Sequence, residues 1–120
     1  MTRQAGGLVD IGDFSYDDTT IDMVGGVADE DTHVWRRPGV AGIEMAFRIG
    51  TAVHNTVVGT VPDDYLPRWT VYVVLASNSV SPGIAFASIS ATGTITYHMY
   101  NAGSELTYVR GSAAWPLFDQ

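Results

Sequence analysis

The sequence predicts an all-β fold of the sandwich or barrel type, on three observations. Glycine and proline punctuate the chain at intervals of about one strand: Gly12, Gly25-Gly26, Pro38-Gly39, Gly42, Gly50, Gly59, Pro62, Pro67, Pro82-Gly83, Gly93, Gly103 and Gly111. No window of about eleven residues keeps a 3.6-residue apolar period free of these breakers, so long helices are not expected. Several stretches instead alternate apolar and polar residues with period two, as strands with one face on a core do. At 120 residues the chain is one domain, long enough to bury a core without staples.

The leading segment is set apart by its charge. Eight of the 13 acids (Asp10, Asp13, Asp17, Asp18, Asp22, Asp29, Glu30 and Asp31) lie in the first 31 residues against Arg3 alone. From Thr32 on, five acids face five arginines. Residues 1–38 are therefore expected to form an acidic N-terminal arm, and residues 39–120 the β domain. A solvated, self-repelling tail is one reading of the arm. Apolar residues among the acids (Leu8, Val9, Ile11, Phe14, Tyr16, Ile21, Met23 and Val24) favour a docking segment that folds on a partner. Its expected contacts are Asp10, Asp13, Phe14, Tyr16, Asp17, Asp18 and Asp22.

In the β domain, Ile43, Met45, Phe47 and Ile49 alternate with Glu44, Ala46 and Arg48, a half-buried strand. Val61-Pro62-Asp63-Asp64 suits a type I turn with proline at its second position, and Leu66 before Pro67 is held extended. Val71, Val73 and Leu75 form one face of the next strand, while Tyr72, Val74 and Ala76 form the other. Ile84-Ala85-Phe86-Ala87 is also apolar on both faces. An isolated sandwich turns one face of each sheet to water. These strands therefore predict a covered outer face, under the N-terminal segment or a loop, or against sister copies of the chain. Ile95, Tyr97 and Met99 alternate with Thr94, Thr96 and His98 in a further strand.

Composition excludes several functions. Apolar content of 46% with 16% charged residues describes a folded chain, and the absence of cysteine removes disulfides and thiolate metal sites. A net charge of −7 with no basic stripe argues against nucleic acid as a partner. The longest apolar run, Val71 to Ala76, is too short for membrane insertion as a helix, and no secretory leader pattern is read. His33, His54 and His98 are far apart and form no metal motif. Asp10-Ile-Gly-Asp13 with Asp17-Asp18 lacks the order of a calcium loop, and turn chemistry accounts for Asp63-Asp64. No nucleophile elbow, phosphate loop or catalytic triad is present, so neither an enzyme nor a cofactor is expected. Three tryptophans and six tyrosines offer platforms for sugar rings. The loop positions that would accompany them are Asn78, Ser79 and Ser81, then Tyr100, Asn101 and Ser104.

One block carries a resemblance. Val58-Gly-Thr-Val-Pro-Asp-Asp-Tyr-Leu-Pro67 is followed by Arg68-Trp-Thr-Val-Tyr-Val-Val-Leu-Ala76, Ile84-Ala-Phe-Ala-Ser-Ile89, Gly93-Thr-Ile-Thr-Tyr97 and Trp115-Pro116-Leu117. This order of turns and strands resembles the β-sandwich head modules of bacteriophage tail fibres and receptor-binding proteins, in which a strand runs into G-T-L-P-x-G-Y-x-P. The resemblance covers roughly the last eighty residues, from about Gly42. It implies an antiparallel β-sandwich built as a homotrimer, displayed on a phage virion, that binds saccharide of the host surface. Two departures stand out. Asp64-Tyr65-Leu66-Pro67 replaces the Gly-Tyr-Arg-Pro of the family, and only about forty residues precede the block, too few for a fibre shoulder. They point to a second expectation, a capsid decoration protein that docks on the shell through its arm and stabilises it. The partners expected are thus the chain itself, other virion proteins through the arm, and host saccharide, at the tail tip or the capsid exterior.

Overall fold

The long strands carry the alternation their sequences predict. In β4 (Val40–Arg48), Ala41, Ile43, Met45 and Phe47 are buried while Glu44 and Arg48 are exposed. In β8 (Thr94–Tyr100), Ile95 and Tyr97 are buried between half-buried threonines. The structure, a computed structural model, describes residues 17–29, 31–50, 54–77, 84–100 and 108–117. The other strands in it are β1 (Asp17–Thr20), β2 (Ala28–Asp29), β3 (His33–Arg37), β5 (Thr56–Thr60), β6 (Val71–Ser77), β7 (Ile84–Ile89) and β9 (Tyr108–Pro116). A single 3₁₀ turn, Asp63–Tyr65, lies between β5 and β6.

Every pairing is antiparallel, and the strands run β1-β3-β4-β9-β6-β7-β8-β5, with β2 on β4. This continuous ribbon folds over into two layers at β6. Val71–Leu75 of β6 pair with β7, whereas Ala76 and Ser77 pair with Arg110 and Val109 of β9. Gly111 permits the corner, because a methyl group there would run into the Val74 carbonyl oxygen. The fold-over brings Phe47 of β4 against Tyr97 of β8, edge to face with ring centroids 6.2 Å apart, although three strands separate them along the sheet. At the far side, Val24 donates its N–H to the Val58 carbonyl oxygen at 2.9 Å, joining the segment after β1 to β5. The buried side chains of both layers form one cluster. The expected antiparallel sandwich is therefore present, as a sheet folded on itself.

Two expectations are corrected. The division at residue 38 does not follow the fold, because β1, β2 and β3 belong to the sheet and Ile21, Thr32 and Val34 are buried. Of the apolar residues that favoured docking, Ile21 belongs to the core and Met23 packs against it. Asp10, Asp13, Phe14 and Tyr16 lie outside the described residues. The turn before β6 is also displaced by one residue. Tyr65 donates to the Pro62 carbonyl at 3.0 Å, so Pro62 opens the turn in an extended conformation (φ −64°, ψ 157°) rather than filling its second position. Leu66 is extended before Pro67, as expected (φ −67°, ψ 137°).

The two apolar faces of β6 separate sharply. Val73 and Leu75 are buried, whereas Tyr72 is 63% and Val74 77% exposed. No described segment of the chain covers them.

Candidate functional site

Two outer faces carry side chains suited to contact with a partner. The first is built on β1, β3 and β4. Val34 points into the core, so alternation sends His33, Trp35 and Arg37 outward. Register then sets Asp18 opposite Trp35 and Trp35 opposite Gly42, with His33 opposite Glu44 and Glu44 opposite Ser112. The Trp35 indole lies on Gly42, where a methyl group would run into Cζ2 and Cε2 of the ring. Glycine in mid-strand is thus the seat of the indole.

Charged groups surround the ring. The Arg37 guanidinium stands 5.1 Å from the indole centroid, within cation–π range. Arg37 Nη1 donates to the Arg36 carbonyl at 2.9 Å and lies 3.7 Å from Asp18 Oδ1. His33 Nδ1 lies 3.6 Å from Asp31 Oδ1. Asp18, His33, Trp35, Arg37, Val40 and Glu44 line an open groove of about 540 Å³. A second depression of about 260 Å³ shares His33 and Glu44 with it and reaches Arg110 and Ser112 on β9. The two form one trough across β1, β3, β4 and β9.

The second face lies on the other layer and holds a row of rings. Tyr72 meets Phe86 edge to face at 5.9 Å, Phe86 stacks on His98 at 4.6 Å, and His98 meets His54 at 5.6 Å. The Ser88 hydroxyl is 2.9 Å from His98 Nε2, and the Met99 N–H donates to His54 Nδ1 at 3.1 Å. Burial, and then the nearby His54, lower the pKa of His98 below its ordinary value of 6.5. The described outward side chains of β6, β7 and β8 on this face (Tyr72, Val74, Ala76, Phe86, Ser88, Thr94, Thr96 and His98) include no carboxylate and no arginine.

Asn78, Ser79, Ser81, Asn101 and Ser104 lie outside the described residues, and Tyr100 is described only as the last residue of β8. Asp17 pairs through its backbone with Arg36, Asp18 lines the groove, and Asp22 is exposed. Asp63 and Asp64 sit in the turn, where the Asp64 carbonyl accepts from Arg36 Nη1 at 3.3 Å. Sequence reasoning missed the Trp35 groove because it assigned residues 33–37 to the arm. The signal available was the alternation His33, Trp35, Arg37 against a strand containing Gly42. It also left His54 and His98 unrelated, since 44 positions separate them and only the β5–β8 pairing brings them together.

No protein-family model matches the sequence, and no curated protein does so significantly. Among solved structures, the receptor binding protein (gp15) of Listeria phage PSA is similar, with a TM-score of 0.64 at 14% identity. The likeness covers 88% of this chain and 68% of that one. The chain thus has the fold that the resemblance implied.

Proposed function

We propose that this chain is a bacteriophage virion protein that adheres to saccharide of the host surface and does so as a homotrimer. The observation that carries the reading is the shared fold with a phage receptor binding protein over 88% of the chain. The exposed aromatic face of β6, β7 and β8 supports the assembly. Each copy carries a net charge of −7, so contact between copies costs least through a surface that holds little of that charge. The second layer offers such a surface, with Tyr72 and Val74 on it largely in water. Covering a side chain of valine size contributes about 1.5–3 kcal/mol. Residues 1–16 then serve as the segment that meets neighbouring virion proteins.

Sedimentation and adsorption test this together. The wild-type protein is expected to sediment as a trimer at micromolar concentration, and Val74→Glu as a folded monomer. A wild-type monomer overturns the assembly. Retention on bacterial cell-wall polysaccharide, released by free sugar, supports adhesion. Binding to DNA-free capsids with a rise in their melting temperature, and no retention on polysaccharide, replaces adhesion with capsid decoration.

A further inference from the structure

We infer that the trough over Trp35 is a saccharide site and that the sugar it takes is an uncharged pyranose stacked on the indole. This rests on the adhesion reading and adds to it a location and a ligand class. Trp35 is held on a strand, seated on Gly42, so little ordering remains to be done when a ligand arrives. A flat, partly exposed indole offers an apolar plane to the C–H face of a sugar ring.

The surrounding charges select the class. Two carboxylates, Asp18 and Glu44, line the groove, and Asp31 stands next to it beside His33. An acidic sugar or a phosphate would meet them against the single guanidinium of Arg37 in that groove. An amino sugar or other cation would compete with Arg37, which already stands 5.1 Å from the ring. An uncharged polyol meets no repulsion of charge; stacked on the indole, it shares that ring with Arg37, whose guanidinium is also held by Asp18 and the Arg36 carbonyl oxygen. Each of its hydroxyls donates to a carboxylate and accepts from a guanidinium, and the groove presents both kinds of group side by side. The continuation past Glu44 to Arg110 and Ser112 supplies the same mixture, so the trough accommodates a chain of sugars rather than one ring.

The test uses the full chain, labelled with ¹⁵N, and follows the three tryptophan indole N–H signals, that of Trp35 being assigned from Trp35→Phe. Glucose, galactose, mannose, N-acetylglucosamine and rhamnose are the uncharged probes; glucuronate and glucosamine are the charged counterparts of glucose. At least one uncharged sugar is expected to shift the Trp35 signal saturably, with the signal of the buried Trp115 unmoved. The charged counterparts should bind at least about tenfold more weakly than the best uncharged sugar. Glu44→Gln should narrow the deficit of glucuronate. Trp35→Ala should lose about tenfold or more, and Trp35→Phe should recover most of it by restoring a ring. The inference is overturned if no uncharged sugar moves the Trp35 signal at about 50 mM, where a site of millimolar Kd is nearly filled, or if glucuronate or glucosamine binds as well. It is equally overturned if a folded Trp35→Ala protein is retained on cell-wall polysaccharide as the wild type is, which leaves adhesion standing at another site. Absence of retention for the wild type removes the adhesion reading itself.

Discussion

Replacing Tyr97 by phenylalanine is expected to stabilise the protein, against the usual direction of core substitutions. Tyr97 is fully buried with its ring against Phe47, and its hydroxyl has no hydrogen-bond partner among the described residues. An unpaired buried hydroxyl costs about 1–3 kcal/mol. Removing one oxygen opens a cavity worth roughly 0.5 kcal/mol or less at the measured cavity slope. The ring contact with Phe47 survives the substitution. The net gain is about 1 kcal/mol, which raises the melting temperature by roughly 4 °C in a domain of this size. Calorimetry or circular dichroism at pH 7 reads it. Alkaline titration adds an independent check. Burial raises the Tyr97 pKa above its ordinary 10.0, so the unfolded chain ionises first. The stability held below pH 10 is then lost as pH climbs from 10.0 toward the folded value. Phenylalanine removes that loss, so the advantage of the variant should be level below pH 10 and widen above it. A variant that melts several degrees lower at pH 7 would falsify the reasoning, since it would mean that the hydroxyl has a partner worth more than its desolvation.

Acidification should weaken the fold through His98. Its pKa is lowered by burial and then by His54, so its contribution is present above pH 6.5 and lost as pH falls through the folded value. Melting temperature measured from pH 7.5 to 5 should fall less steeply in His98→Gln than in the wild type; equal slopes would assign the loss to other groups. Thr32→Val should cost about 1–3 kcal/mol in urea unfolding, because the buried Thr32 hydroxyl accepts the Ala46 N–H at 3.1 Å and valine leaves that donor unpaired. Thr32→Ser keeps the acceptor and should lose less; a serine variant as unstable as the valine one would show that the methyl group, not the hydroxyl, matters.

What could be read in advance was local. Period two in Ile43–Ile49 and Thr94–Met99 places the large buried residues of β4 and β8, because alternation is fixed by backbone geometry, although Ala46, expected on the outer face of β4, is buried as well. The apolar outer face of β6 was equally visible, but the cover expected for it is not supplied by any described segment, since Tyr72 and Val74 are exposed. Charge misled the reading of residues 17–37. Acidic residues there read as an arm outside the fold, yet Asp18 and Asp22 stay at the surface while Ile21 between them and Val34 beyond them enter the core. A strand at the edge of a sheet needs only every second residue apolar, and three strands this short give too few repeats for the period to show. The Trp35 groove depends on cross-strand register with Asp18, Glu44 and Gly42, which the sequence of β3 alone does not contain.

The separation of charge between the layers ties the two proposals together. Asp18, Arg37, Glu44 and Arg48 belong to the layer of β1, β3 and β4, and Arg110 of β9 stands at the corner opposite Ala76, while the rest of the second face presents rings, aliphatic groups and the hydroxyls of Ser88, Thr94 and Thr96. Desolvating the first face would strip these ionised groups of water, a penalty that the aromatic face avoids. Copies that associate therefore do so through the second layer, and each groove is left facing solvent. Open, shallow sites such as the one over Trp35 hold a single sugar weakly, because much of the ligand stays in water. In the proposed trimer, three grooves turned outward from a common axis would convert that weak contact into retention on a polymer, since each binding event raises the effective concentration of the next. On this account assembly is a condition of adhesion, and the uncharged face of β6, β7 and β8 is as necessary to it as the indole.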